Sequence, residues 1–396
     1  MPSYVIECDK LWIGDGTAHD GHVAVGDGLI ASVGRGRYRG PLQVVRLDGL
    51  ALSPGMIDSM VCGAFGESAM LGDLGLLARE HLRLGVTALQ VCAGNASWEV
   101  YEKTAANLRW AMKSDPADRA KILGCYSEGP FMQAESSGGN LPSLCQPATR
   151  ENVRRFLDIF GDTLTMINVS PQIDHDVEAI VQCRSSGKIV AMCHSNAPAQ
   201  RALECITAGT SILGHAFDNN TGLFGDSGLL MPTIEQAALL DSRLRFIHLI
   251  CDGIHVHPIW VRLAVACRGV GSLCLVTDSL ACAGWSDGQY NYEDGQVYHK
   301  AGGVGRDERG YLFGSALLLP DHFRNFVKIA GIRPSDAIRT VTFNPAASLG
   351  LEDRMGRLAA GCAADMVAWD PELRVRRVWR AGVELPDVSD LQEVKL

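Results

Sequence analysis

The sequence predicts an α/β chain: a (β/α)8 TIM-type barrel with a small β-sandwich domain formed from both chain ends. Three observations carry that expectation. Through the middle of the chain, short apolar runs alternate with segments of helical periodicity. The runs are apolar almost throughout, as strands buried on both faces are. Both ends of the chain read as strands with no helices between them.

Taken in order, "YVIECDKLWI" and "HVAVGDGLIASVG" open the chain, the second with Gly-Asp-Gly as a hairpin turn, and "PLQVVRLDGLAL" adds a further strand. From Ser53 come eight runs: "MIDSMVC", "VTALQVC", "KILGCYS", "TLTMINVS", "KIVAMCH", "SILGHA", "RFIHLIC" and "SLCLVTD". Helical segments such as "DVEAIVQCRSSG" and "PIWVRLAVACRG" lie between them. The polar stretch Gly284 to Gly314 is too long for an idle connection and reads as a loop or hairpin over the barrel mouth. Two helices follow, around Asp321–Ala330 and Pro334–Leu349. "GRLAAGCAADMVAWD" and "RVRRVWRAGVEL" then return to strands. The expected division is a composite β domain of residues 1–52 with 350–396 and a barrel of residues 53–349.

Composition excludes several function classes. The 396 residues are 47% hydrophobic and 20% charged, with a net charge of −9, and the one arginine-rich run, "RVRRVWRAG", alternates with apolar residues as a half-solvated strand does, so nucleic-acid binding is not expected. No apolar stretch reaches the roughly 18 residues of a membrane helix. No secretory leader opens the chain, and the thirteen cysteines form no C-x-x-C pair. A cytoplasmic protein with reduced thiols is expected.

Catalytic groups of such barrels sit at the C-terminal ends of the strands. There the sequence places Glu128 after the third run, His194 after the fifth, His215 after the sixth, His255 and His257 after the seventh, and Asp278 after the eighth. Nitrogen and oxygen donors around one mouth suit a divalent ion, Zn²⁺ or Fe²⁺, with an open position for water. His19, His22, His81, His175, His299 and His322 lie outside strand ends and read as surface residues; His248 reads as packing.

"PGMID", "EGPF", "HSNA", "GH" with a following Asn-rich stretch, "DGIHVHP", "VTDS", "GSAL", "NPA" and "GRLAAGCAADMVAWD" occur in the order found in N-acetylglucosamine-6-phosphate deacetylases of the amidohydrolase superfamily, and the chain resembles that family nearly end to end. The resemblance implies a homodimer acting on a small-molecule N-acyl substrate. It implies Glu128, His194 and His215 as metal ligands, Asp278 as general base and acid, and His255 as the group polarising the substrate carbonyl. Members with histidines on the first strand bind two metals. Met60 and Cys62 stand at those positions, which implies one metal per subunit and assigns the two side chains to lining the vacant second position.

The departures fall on the substrate side. Asp218, Asn219 and Asp226 stand where the family has an Asn-Ala pair and a phosphate-gripping Arg; Asn140 falls near a phosphate-side His, and Tyr126 replaces a His. An Asp repels a phosphate dianion. The expectation is therefore retained amide hydrolysis on an N-acetylated amino sugar or related compound without the 6-phosphate. Two alternatives stay open. One is a true 6-phosphate deacetylase with a rearranged phosphate site, Arg324 being a candidate base. The other is an inactive metal-binding barrel.

Overall fold

The computed structural model describes residues 3–218, 223–224, 228–292 and 295–386. All eight apolar runs form the strands of one parallel sheet. In chain order these are Met56–Val61, Val86–Ala93, Lys121–Ser127, Leu164–Asn168, Ile189–Met192, Ile212–Leu213, Phe246–Ile250 and Leu273–Val276. Each pairs with its sequence neighbour, so the strand order is the chain order. A bridge from Val61 to Ser279 joins the first strand to the end of the eighth, helped by the Asp278 N–H donating to Met60 O at 2.9 Å. Every residue of the first two strands is buried, which is why their sequences do not alternate.

A helix returns the chain after each strand, and local sequence explains where several begin. Asp73, Ser97 and Thr149 accept backbone N–H groups at the starts of Leu74–Arg83, Trp98–Ala111 and Arg150–Phe160. His257 caps Pro258–Arg268 in the same way, Nδ1 accepting from the Ile259 N–H at 3.2 Å.

The chain ends build a seven-stranded sheet in which Gln43–Pro54 pairs with Tyr4–Trp12 on one side and Met366–Trp369 on the other. The sheet curls on itself: Leu29–Arg35, at one edge, returns to residues 361–364 through Ile30 N–H to Cys362 O at 2.8 Å and Gly361 N–H to Ile30 O at 2.9 Å. The two faces of the expected sandwich are thus halves of one folded sheet, closed over Ile6, Leu11, Val23, Met366 and Trp379.

The segment Gly284 to Gly314 carries an antiparallel meander, Gly288–Asn291, Val297–Ala301, Val304–Asp307 and Leu312–Ser315, richer than the loop or hairpin expected. Its aromatic residues pack together: Tyr298 stacks on Tyr290 at 5.9 Å and on Phe313 at 5.2 Å, and Tyr292 meets Phe313 edge-on at 5.1 Å. The last strand ties into the barrel through Ser315 N–H to Asp278 O at 3.1 Å. The first of the two later helices spans Leu319–Ala330. The expected single helix 334–349 is instead three short pieces, Pro334–Ala337, Ile338–Val341 and Phe343–Ser348. Pro345, which has no N–H to return to the preceding turn, accounts for the break.

Two histidines read as surface residues are buried. His81 sits on the inner face of its helix, Nδ1 bonded to Leu77 O at 2.8 Å. His322 accepts the Cys251 N–H at 3.0 Å through Nδ1, with Nε2 3.3 Å from Ser315 Oγ. Among the described residues no helix is long and apolar enough to cross a membrane.

Candidate metal centre and catalytic residues

The parallel strands deliver Glu128, His194, His215 and Asp278 to one end of the barrel. Three of them leave the strand conformation as they do so: His194 (φ +50°), His215 (+21°) and Asp278 (+50°) have positive φ, which costs non-glycine residues about 1–3 kcal/mol each. This turns their side chains over the mouth instead of continuing the pleat.

Glu128 Oε1 lies 2.6 Å from His194 Nε2 and 2.9 Å from His215 Nε2, all three residues buried. His194 Nδ1 lies 2.7 Å from Ser136 O, so that nitrogen carries the proton and donates it. A histidine whose other nitrogen is bonded to a backbone carbonyl is the usual form of a metal ligand. The donor atoms of Glu128, Cys193, His194 and His215 all lie within 4.8 Å of one another. The residues fit a divalent ion. Burial disfavours the Glu128 carboxylate, but the charges and hydrogen bonds of His194 and His215 outweigh it and hold its pKa well below the usual range.

One buried amide aligns these ends. Asn168, at the end of the fourth strand, donates from Nδ2 to Glu128 O at 3.0 Å and accepts the Cys193 N–H on Oδ1 at 2.9 Å. Ser170 Oγ completes the clamp on Cys193 O at 2.6 Å.

Asp278 faces the same space. Cys62 Sγ donates to its Oδ1 at 3.2 Å. The hydrogen bond with Cys92 and full burial hold the Cys62 thiol well above its ordinary pKa, so it acts as a donor. Burial and the Glu128 charge push Asp278 up to about 6. A cation on the neighbouring donors would draw that value back down.

His255 enters from the turn after the seventh strand. Its Nδ1 donates to Asp252 Oδ2 at 2.6 Å, and Asp252 Oδ1 accepts the Ile254 and His255 N–H groups at 2.8 and 2.9 Å. His255 Nε2 is buried without a hydrogen-bond partner among the described residues, and His255 lines the cavity. Burial disfavours the imidazolium, but the hydrogen bond and charge of Asp252 raise its pKa above the ordinary value. A charged ring is what allows Nε2 to donate while Nδ1 is engaged.

The remaining expected residues divide. Asn140 lines the cavity, accepting the Asn95 N–H on Oδ1 at 2.8 Å with Nδ2 3.5 Å from Glu128 Oε2. Asp218 lines it too, its Oδ2 3.9 Å from His215 Nδ1. Cys62 is in the cavity wall, and its thiol also serves Asp278. Met60 is fully buried in the core, and the cavity wall does not include it. His257 is an exposed helix cap. Asn219 and Asp226 lie outside the described residues. Arg324 is engaged elsewhere, with Asp321 and with Leu373 O at 3.1 Å, and lines a separate cleft. His248 is buried, its pKa pushed down to about 3 first by burial and then by His215, as a neutral packing residue requires.

Sequence reasoning missed Asp252, Asn168, Ser136, Cys193 and the meander residues Tyr292 and Phe313, the last two of which line the cavity. Asp252 carried a signal, lying three residues before His255 in a turn that starts at a strand end. Asn168 also ends a strand, but its partners are backbone groups brought together only by folding.

The Amidohydrolase family model matches residues 293–394. The chain is 28% identical to an N-acetylgalactosamine-6-phosphate deacetylase of Escherichia coli O157:H7 over 384 residues, covering 96% of this chain and 98% of the relative. It is 30% identical to an N-acetylglucosamine-6-phosphate deacetylase of Vibrio furnissii over 336 residues, covering 84% and 82%. Among solved structures, an aspartate-to-alanine mutant of the Mycobacterium smegmatis N-acetyl-D-glucosamine-6-phosphate deacetylase, in complex with N-acetyl-D-glucosamine-6-phosphate, superposes with a TM-score of 0.89 at 26% identity, over 97% of this chain and 99% of the other.

Proposed function

The chain belongs to the N-acetylglucosamine-6-phosphate deacetylase family of the amidohydrolase superfamily, hydrolases of amide C–N bonds, and on that premise we propose that it removes an acetyl or related acyl group from an N-acylated amino sugar that carries no 6-phosphate. The observation that carries the proposal is the cavity's charge. Its described wall holds the carboxylates of Glu128, Asp218 and Asp278 and no lysine or arginine. Glu128 and Asp278 belong to the expected machinery, but Asp218 adds a carboxylate that no lysine or arginine of that wall offsets, and a phosphate dianion near it meets repulsion that a neutral hydroxyl does not.

Glu128, His194 and His215 would hold one divalent ion, with Zn²⁺ suiting a buried set of imidazole and carboxylate donors. When bound, such an ion supplies Lewis acidity and acidifies a water molecule. The chain's own groups do the rest. Asp278 takes the proton of the attacking water at its carboxylate and returns it to the leaving nitrogen. The Cys62 thiol fixes which way that carboxylate points. His255, held by Asp252, presents Nε2–H to the carbonyl oxygen as charge develops there, an interaction stronger in the transition state than in the ground state. The meander wall, with Tyr292 and Phe313, keeps bulk water away.

The names of the relatives favour a second reading, a 6-phosphate deacetylase with a rearranged anion site. Acetate release from N-acetylated amino sugars tests the first. Activity is expected with one ion per chain, abolished by chelation and restored by Zn²⁺; turnover that survives complete metal removal would refute the mechanism.

A further inference from the structure

We propose that Cys193 is a fourth protein donor to the divalent ion, making this a mixed oxygen, nitrogen and sulfur site. The inference rests on the metal-dependent reading above. Its Sγ belongs to the buried cluster in which every donor atom lies within 4.8 Å of the others. Donors at Zn–N distances near 2.0 Å and a Zn–S distance near 2.3 Å lie roughly 3.3–3.6 Å apart when tetrahedral. About an ion the Glu128–His194 and Glu128–His215 pairs would open from 2.6 and 2.9 Å and the widest separation would close from within 4.8 Å, with water as a fifth ligand in a site of the expanded, five-coordinate kind.

Adjacent residues of a strand normally point to opposite faces. Here Cys193 and His194 serve the same centre because the strand ends at Met192 and His194 turns to a positive φ. The sulfur also has room made for it. A Cβ on Gly214, the residue before His215, would meet Cys193 Sγ at 3.3 Å and Tyr126 Oη at 2.7 Å. The absence of a side chain there lets the fifth strand's thiol approach the donor of the sixth. The clamp of Asn168 and Ser170 on the Cys193 backbone fixes its position relative to Glu128. Tyr126 Oη, 3.6 Å from Sγ, is placed to donate to a thiolate.

Coordination breaks the S–H bond: the sulfur keeps the electron pair and bonds to the ion, and the proton passes to solvent. A thiolate among imidazole and carboxylate donors favours Zn²⁺ or Co²⁺ over the harder Mg²⁺ or Mn²⁺.

The test is the absorption spectrum of the full-length protein reloaded with Co²⁺. The wild type is expected to show a thiolate-to-cobalt charge-transfer band in the near ultraviolet. Cys193→Ser and Cys193→Ala should lose it, and Cys62→Ala should keep it. Zn²⁺ affinity, read by competition with a chromophoric chelator, should fall at least about tenfold in the Cys193 variants, the lower end of what loss of a mere outer-sphere partner costs. A wild-type protein that binds one Co²⁺ and hydrolyses amides without the band would overturn the inference and leave the proposed function standing, and so would a band that disappears in Cys62→Ala. The wild-type spectrum decides even if the variants fold poorly. Failure of the wild type to bind Co²⁺ or Zn²⁺ at all would overturn both.

Discussion

The two sides of the barrel mouth are built on different principles. On the donor side, Glu128, His194 and His215 each follow a barrel strand, and the parallel ladder together with Asn168 sets their separation. The rest of the cavity wall, Asn140, Asp218, Tyr292 and Phe313, comes from the segments between strands and from the meander. In barrels of this kind the frame generally holds the chemistry, and what is inserted between its elements chooses the substrate. The cluster of possible donors includes the three ligands the family resemblance implies, and Asn140 and Asp218 stand at positions where the sequence departs from that family.

The sharpest way to break the comparison is to remove a donor. Glu128→Gln should lose the bound ion and reduce kcat by at least the roughly 10²–10⁴-fold that general acid–base groups contribute; elemental analysis beside an acetate-release assay checks both. Asp278→Asn should lower kcat by about 10²–10⁴-fold while keeping one ion per chain. The corresponding pH dependence has a definite sign. Asp278 must be ionised to accept a proton, so the wild-type rate should rise with pH through a value at or below the metal-free figure of about 6 and be lost below it.

Asp252→Asn separates positioning from chemistry. Activity should fall by about 10–100-fold, the usual cost of losing a carboxylate behind a functional imidazole. Stability gives an independent readout. In the wild type the His255 pKa is raised on folding, so the pair's contribution is fully present below the unfolded value of about 6.5 and is lost as pH rises through the folded value. Urea midpoints across that range should fall with pH in the wild type and flatten in the variant. The smallest effects belong to the meander. Tyr292→Ala or Phe313→Ala should raise KM by about 2–13-fold, the worth of an aromatic contact, with kcat little changed; a collapse of kcat would put those rings in the chemistry.

How much of this was legible in the sequence follows the same division. Strand number and the polar residues gathered at the mouth could be read because buried parallel strands are continuous apolar runs, and a polar residue ending such a run has one place to go; which three of them would hold an ion came from the family resemblance. The meander was legible only as a long polar segment, since its strands depend on pairing with one another. His81 and His322 were misplaced because their burial comes from helix packing against the barrel, which the strand-end rule does not address. Cys62 was assigned to lining a vacant position; its hydrogen bond to Asp278 joins residues from opposite ends of the barrel sequence, and only closure of the sheet brings them together.

The central claim is that a deacetylase frame faces a cavity unsuited to a phosphate. The ratio of kcat/KM for N-acetylglucosamine to that for its 6-phosphate, measured on the Zn²⁺-loaded protein, tests it most directly. The account predicts a ratio of about ten or more in favour of the unphosphorylated sugar, equivalent to roughly 1.4 kcal/mol. A preference of that size for the phosphorylated sugar would contradict it.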